Sequence, residues 1–145
     1  MNTRLDFYKS GPNAIKAMLG LQKQISASGL EKPLMQLVQI RASEINGCTF
    51  CLDMHHAEAR TAGEDPRRLA TVSAWREAPF FSDRERAALE WTESLTRVAD
   101  THVPDDVWDR VKPQFTPEEL VDLTLLVTTI NSWNRFAIAF RSQPN

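Results

Sequence analysis

Apolar residues recur at three-and-four spacing in segment after segment of this chain, a period that predicts helices and not strands. From about Pro12 to Ser28, the residues Ala14, Ile15, Met18, Leu19, Gln22 and Ile25 make one mostly apolar stripe, and Gly29 ends it. Pro33 suits the first turn of a second helix carrying Leu34, Leu37, Val38, Ile40 and Ile45, before Asn46-Gly47 supplies a left-handed stop. A third helix starts at the cysteines Cys48 and Cys51 and runs to about Ala62, where Gly63 stops it, and Asp65-Pro66 caps a short fourth. Ser82-x-x-Glu85 is a capping-box pattern ahead of Ala87, Ala88, Leu89, Trp91, Leu95 and Val98. Pro104 opens a short helix through Val107, Trp108 and Val111, and Thr116-Pro117-Glu118-Glu119 combines a cap, a first-turn proline and a box glutamate at the start of the last.

Hairpin signals are missing. The five glycines fall singly, and Asn46-Gly47 lies between two segments of helical period. The expectation is one all-α domain over residues 1–145, a compact bundle of about six or seven helices without linker, repeat or low-complexity tract. The last helix is nearly apolar on all sides from Leu120 to Ile130, which predicts burial between helices or in a subunit interface. Its β-branched run Val127-Thr128-Thr129-Ile130 reads as helix because about twenty residues pass without a breaker.

Composition narrows the function. With 42% hydrophobic and 25% charged residues in 145, the chain can bury a core, which excludes disorder. Lys plus Arg number 17 against 19 Asp plus Glu, so no basic stripe points to nucleic acid or to an anionic membrane surface. The region Leu120 to Phe140 contains Asp122, Asn131, Asn134 and Arg135, which makes it a poor membrane span. The start, Met1-Asn2-Thr3-Arg4-Leu5-Asp6, has neither signal-peptide nor transit character, so the cytoplasm is the expected compartment. There a dithiol that cycles or binds metal is favoured over a structural staple.

The two cysteines form Cys48-Thr49-Phe50-Cys51, with His55 one turn further on. At roughly 100° per residue, Cys48, Cys51 and His55 share one helix face. A helix N-terminus favours thiolate over thiol, which points to Cys48 as the more acidic sulfur. Nearby His55, able to exchange a proton near neutral pH, points instead to Cys51. Such a pair can reduce a peroxide: one thiolate takes the oxygen as a sulfenic acid, and the other condenses with it to a disulfide and water. The bland alternative is a pair of small buried hydrophobes. A zinc site on Cys48, Cys51 and His55, with His56, Asp53 or His102 as fourth ligand, is weakened by the lack of a second CxxC or a His-x3-His.

His56 points about 100° away and reads as an exposed helix residue, and His102 as a surface histidine before Pro104. Trp75, Trp91, Trp108 and Trp133 read as core or interface. No glycine-rich phosphate loop is present, so no cofactor is expected beyond the cysteine pair itself.

Residues 34–63 contain Arg41-Ala42-Ser43, Ile45-Asn46-Gly47-Cys48-x-x-Cys51-x-Asp53-Met54-His55 and Ala59-Arg60-x-Ala62-Gly63-Glu64. Together they resemble the core motif of the AhpD-like alkylhydroperoxidases of the carboxymuconolactone decarboxylase superfamily. Ile130-Asn131-Ser132-Trp133-Asn134-Arg135-Phe136-Ala137-Ile138 is similar to the closing helix of the same group. The resemblance implies a helical domain that assembles into trimers or hexamers, and a CxxC pair that reduces hydroperoxides and is re-reduced by a thiol or dithiol partner. By position it makes Cys51 the thiol that meets peroxide, Cys48 the resolving thiol and His55 part of a proton relay.

Two family positions differ in this chain. The glutamate twelve residues before the first cysteine is Gln36, and a histidine two residues after it is Phe50. Glu44, one turn before Cys48, is a candidate substitute for the missing acid. A second reading, which Gln36 favours, is a non-enzymatic redox sensor or assembly module that responds through a Cys48–Cys51 disulfide.

Overall fold

The computed structural model describes residues 1–144, and these form nine α-helices and two short 3₁₀ turns, with no strand among the described residues. The longer helices are α2 (Pro12–Ser26), α3 (Lys32–Asn46), α4 (Thr49–Thr61), α6 (Asp83–Thr96), α8 (Asp105–Val111) and α9 (Pro117–Phe140). The short ones are α1 (Phe7–Ser10), α5 (Pro66–Ala70) and α7 (Val98–Thr101). The sequence period anticipates all but α1 and α7, which at four residues each are too short to show one. Asp6 caps α1 by accepting the Tyr8 and Lys9 amides, and α7 ends at His102, which has a positive φ of 51°.

Local chemistry sets most helix ends. Both expected capping boxes form: Ser82 exchanges hydrogen bonds with Glu85, and Thr116 with Glu119. Asp65 caps α5 by accepting the Arg67 amide at 2.8 Å.

Helix α3 is the centre of the bundle. Its Leu34, Met35 and Val38 join a core with Ala88 and Trp91 of α6, Val111 of α8, and Leu123, Leu126 and Val127 of α9. Leu37 and Ile40 of the same helix face a second core with Ala59 of α4, Leu69 of α5, and Trp75 and Phe81. A helix buried on two sides fixes its neighbours relative to one another.

The polar joints of α3 lie near its C-terminal end. Arg41 donates to Glu93 at 2.8 Å, and Glu93 also accepts from Trp75 Nε1 at 2.9 Å and from Arg76 at 2.5 Å. Burial would raise the Glu93 carboxyl, but hydrogen bonds from Trp75, Arg76 and Arg41 outweigh it and hold the group below its usual range. One turn on, Asn46 Nδ2 donates to Asn131 Oδ1 at 3.0 Å and to Asn134 Oδ1 at 2.9 Å. Asn134, fully buried, donates in turn to Ser43 Oγ at 3.0 Å. Asn131 donates to Thr96 Oγ1 of α6 at 3.0 Å. Three helices thus meet through side-chain amides.

The apolar last helix is covered on one side only. Leu120, Leu123, Leu126, Val127 and Ile130 are buried, but Val121 is 70% exposed and Trp108 of α8 is 41% exposed beside it. These two, with Trp91, Phe115 and Leu125, line an open apolar hollow of about 690 Å³.

Asn134→Ala removes one of the two acceptors of Asn46 and the donor to Ser43 and leaves a void, so it should cost about 2–4 kcal/mol. Urea denaturation measures this, and a loss under about 0.5 kcal/mol would show that the amide joint is dispensable.

Candidate active site

The turn between α3 and α4 places the cysteines. Gly47, at φ +67°, ends α3 in the left-handed conformation. The Cys48 amide then reaches back to the Ser43 carbonyl at 3.0 Å, closing a Schellman-type stop. Because Ser43 is also the residue held by Asn134, the start of α4 inherits its position from α9.

Cys48 is the N-cap of α4, a place more often held by Ser, Thr or Asp. Its sulfur accepts the Cys51 amide at 3.3 Å, and its carbonyl accepts the Leu52 amide at 2.9 Å. The two sulfurs are joined in a disulfide, with the Cα atoms 5.4 Å apart. Both residues are buried, at 1% and 2% exposure, against Ala137 of α9 and Phe50.

One turn beyond Cys51, His55 is buried and its Nδ1 lies 2.9 Å from Glu58 Oε2. The hydrogen bond with His55 holds the Glu58 carboxyl below its usual range, although burial opposes it. Cys51, His55 and Glu58 line one cavity of about 250 Å³, whose far walls include Tyr8, Leu19 and Trp133. Leu19, half exposed, was expected on the buried stripe of α2 and instead forms part of this cavity wall. Cys48 does not line this cavity; it borders a second one of about 310 Å³ with Gly47, Thr49, Arg141 and Ser142. Phe50 and Ala137 line both.

The expected relay positions fall elsewhere. Gln36 lines an adjoining depression with Ser26 and Lys32, and Gln22, Gln39 and Glu58 line both that depression and the Cys51 cavity. Glu44 lies away from the sulfurs as well. It accepts from Arg41 at 2.9 Å and lines neither cysteine cavity. Burial pushes the Glu44 carboxyl above its usual range despite the Arg41 guanidinium.

The carboxylate that does meet the histidine is Glu58, which sequence reasoning passed over. Its spacing of three residues from His55 on one helix was the available signal. His56 is half-buried against Pro66 and Leu69, not free in solvent, and burial lowers its pKa. His102 is exposed at its turn. Trp133 is more than core, since it forms a wall of the Cys51 cavity. Among the described residues no three His, Cys, Asp or Glu side chains are grouped to hold a metal ion. No helix there is long and apolar enough to cross a membrane.

Comparison with known proteins agrees with this architecture. The model of the carboxymuconolactone decarboxylase family matches residues 12–94, more than half of the chain. Uncharacterized protein YdfG of Bacillus subtilis (strain 168) is 40% identical over 139 residues, spanning 96% of this chain and 95% of its own. The crystal structure of an Agrobacterium tumefaciens protein of unknown function, described as a candidate antioxidant defence protein AhpD, superposes with a TM-score of 0.97 at 41% identity and covers 99% of both chains. An uncharacterized peroxidase-related protein of Ralstonia eutropha JMP134, described as an alkylhydroperoxidase AhpD core, shares the fold at 20% identity, with a TM-score of 0.83 over 95% of this chain and 74% of that one.

The arrangement can hold a thiolate at Cys51 beside an imidazole in an apolar chamber, with Glu58 orienting the ring. Because the folded-state pKa of Glu58 is depressed, its stabilising contribution is present above the usual carboxylate pKa and is lost as pH falls through the folded value. Denaturation midpoints of wild type should therefore fall more steeply below about pH 4.5 than those of Glu58→Gln. Parallel profiles for the two would mean that Glu58 has no such coupling to His55.

Proposed function

The chain belongs to the carboxymuconolactone decarboxylase family, in its AhpD-like group, and we propose that it is a thiol-dependent reductase of organic hydroperoxides. The observation that carries this reading is the shared cavity: Cys51 opens into a chamber with a buried, carboxylate-oriented histidine, and Cys48 does not.

The cycle starts from the reduced pair. The Cys51 thiolate attacks the outer peroxide oxygen, the O–O bond breaks, and the departing alkoxide takes a proton through His55. Cys51 is left as a sulfenic acid. Cys48, whose negative charge is stabilised by the Cys51 amide, attacks Cys51 Sγ; the S–O bond breaks and the departing hydroxide takes a proton from solvent and leaves as water. The product is the disulfide present in the structure, which a thiol or dithiol donor returns to the start.

His55 needs an orienting acid, and Glu58 fills that place at 2.9 Å. Gln36 sits one step further out, in a depression that Glu58 also lines, so the acid in contact with the histidine is Glu58 and not the residue at position 36. Phe50 supplies a wall where the family can carry a histidine. Assembly into a homo-oligomer is part of the same reading, through the uncovered apolar face of α8 and α9 around Trp108 and Val121.

Reduced protein treated with tert-butyl hydroperoxide should lose two titratable thiols. With dithiothreitol as donor, Cys51→Ser should abolish turnover, Glu58→Gln should slow it about 10- to 100-fold, and Gln36→Glu should change it less than about threefold. Turnover that survives Cys51→Ser rules that residue out as the peroxide-attacking thiol. If wild type consumes no peroxide but its size-exclusion profile changes between redox forms, the sensor reading replaces the enzyme. Light scattering at micromolar concentration should give a multiple of the chain mass, and Val121→Glu should lower it. A monomeric wild type would refute assembly.

A further inference from the structure

The two sulfurs of the disulfide face different spaces. Cys51 borders the apolar chamber with His55, whereas Cys48 borders a groove of about 310 Å³ formed by Gly47, Thr49, Ile138, Arg141 and Ser142. Phe50 and Ala137 stand between the two. We propose that the reducing thiol enters by this groove and attacks Cys48, so that peroxide and reductant approach the same disulfide from opposite sides.

Exchange geometry supports this assignment. A thiolate attacks a disulfide along the S–S axis, from behind the sulfur it bonds to, and displaces the other. Approach through the groove therefore selects Cys48 as the attacked atom and Cys51 as the leaving group. The groove also suits the attacking species. The guanidinium-bearing Arg141 lines the groove and the N-terminal end of α4 begins at Thr49, so positive charge faces an incoming thiolate.

The step balances. The donor sulfur forms a bond to Cys48 Sγ, the Cys48–Cys51 bond breaks, and its electron pair stays on Cys51 as a thiolate that can take a proton from His55. A second donor thiol then attacks the donor sulfur of the mixed disulfide and releases Cys48. The donor leaves oxidised as a disulfide and the protein carries two thiols. The leaving thiolate emerges beside His55, ready for the peroxide step, so the inference extends the reductase reading and rests on it for its place in a cycle.

The test begins with wild-type protein oxidised by diamide, without peroxide. Brief exposure to glutathione, an acid quench, alkylation with N-ethylmaleimide and peptide mapping should find glutathione on Cys48 and the alkyl group on Cys51. Glutathione on Cys51 overturns the proposal. In a second arm, stopped-flow rates of disulfide reduction by dithiothreitol are divided by rates of oxidation by diamide. Ile138→Trp, which narrows the groove, should lower that ratio at least about tenfold, and Met54→Trp, in the Cys51 chamber, should not. An unchanged ratio for Ile138→Trp, or a fall for Met54→Trp, refutes the proposal even if no mixed disulfide survives long enough to map. A protein reduced through the groove that consumes no hydroperoxide fails the reductase reading while leaving this one intact.

Discussion

Asn134 joins the C-terminal end of α3 to the middle of α9 inside the protein, with no exposure to solvent. Its amide accepts from Asn46 and donates to Ser43, and the Ser43 carbonyl in turn receives the Cys48 amide. Two hydrogen bonds in series, Asn134 to Ser43 and Cys48 to Ser43, therefore carry the position of a distant helix to the first cysteine. A buried amide left without these partners would be costly, so the pairing is specific as well as stabilising. Everything chemical at the start of α4 stands on this joint.

Features set by neighbouring residues were legible in the sequence. Capping boxes, the glycine stop and the proline starts depend on atoms a few positions apart, and the helices they bound appear where expected. The likeness of residues 34–63 and 130–138 to one family was legible too, but the reason for the second motif was not. Asn131 and Asn134 bind Asn46 and Ser43 some 85 to 91 positions away, and no period in a single chain announces such a pairing.

The candidate site shows the same division. Cys48, Cys51 and His55 were found by spacing along one helix. Gln36 was singled out by its place in the family motif and Glu44 by its distance from Cys48, yet α3 sets Gln36 in a depression adjoining the Cys51 cavity and Glu44 against Arg41. Glu58 was within reach of the same helical arithmetic that found His55. It was hidden because an exposed carboxylate on a helix is ordinary until the buried ring beside it is seen.

Cys48 has every hydrogen-bonding group of its backbone occupied, its amide by Ser43 and its carbonyl by Leu52. Making or breaking a bond at its sulfur therefore has no slack in the main chain to draw on. A frame built in this way stores little of the chemical event as shape. It suits a centre that must return to the same geometry after each turnover better than one that must broadcast its oxidation state to the rest of the fold.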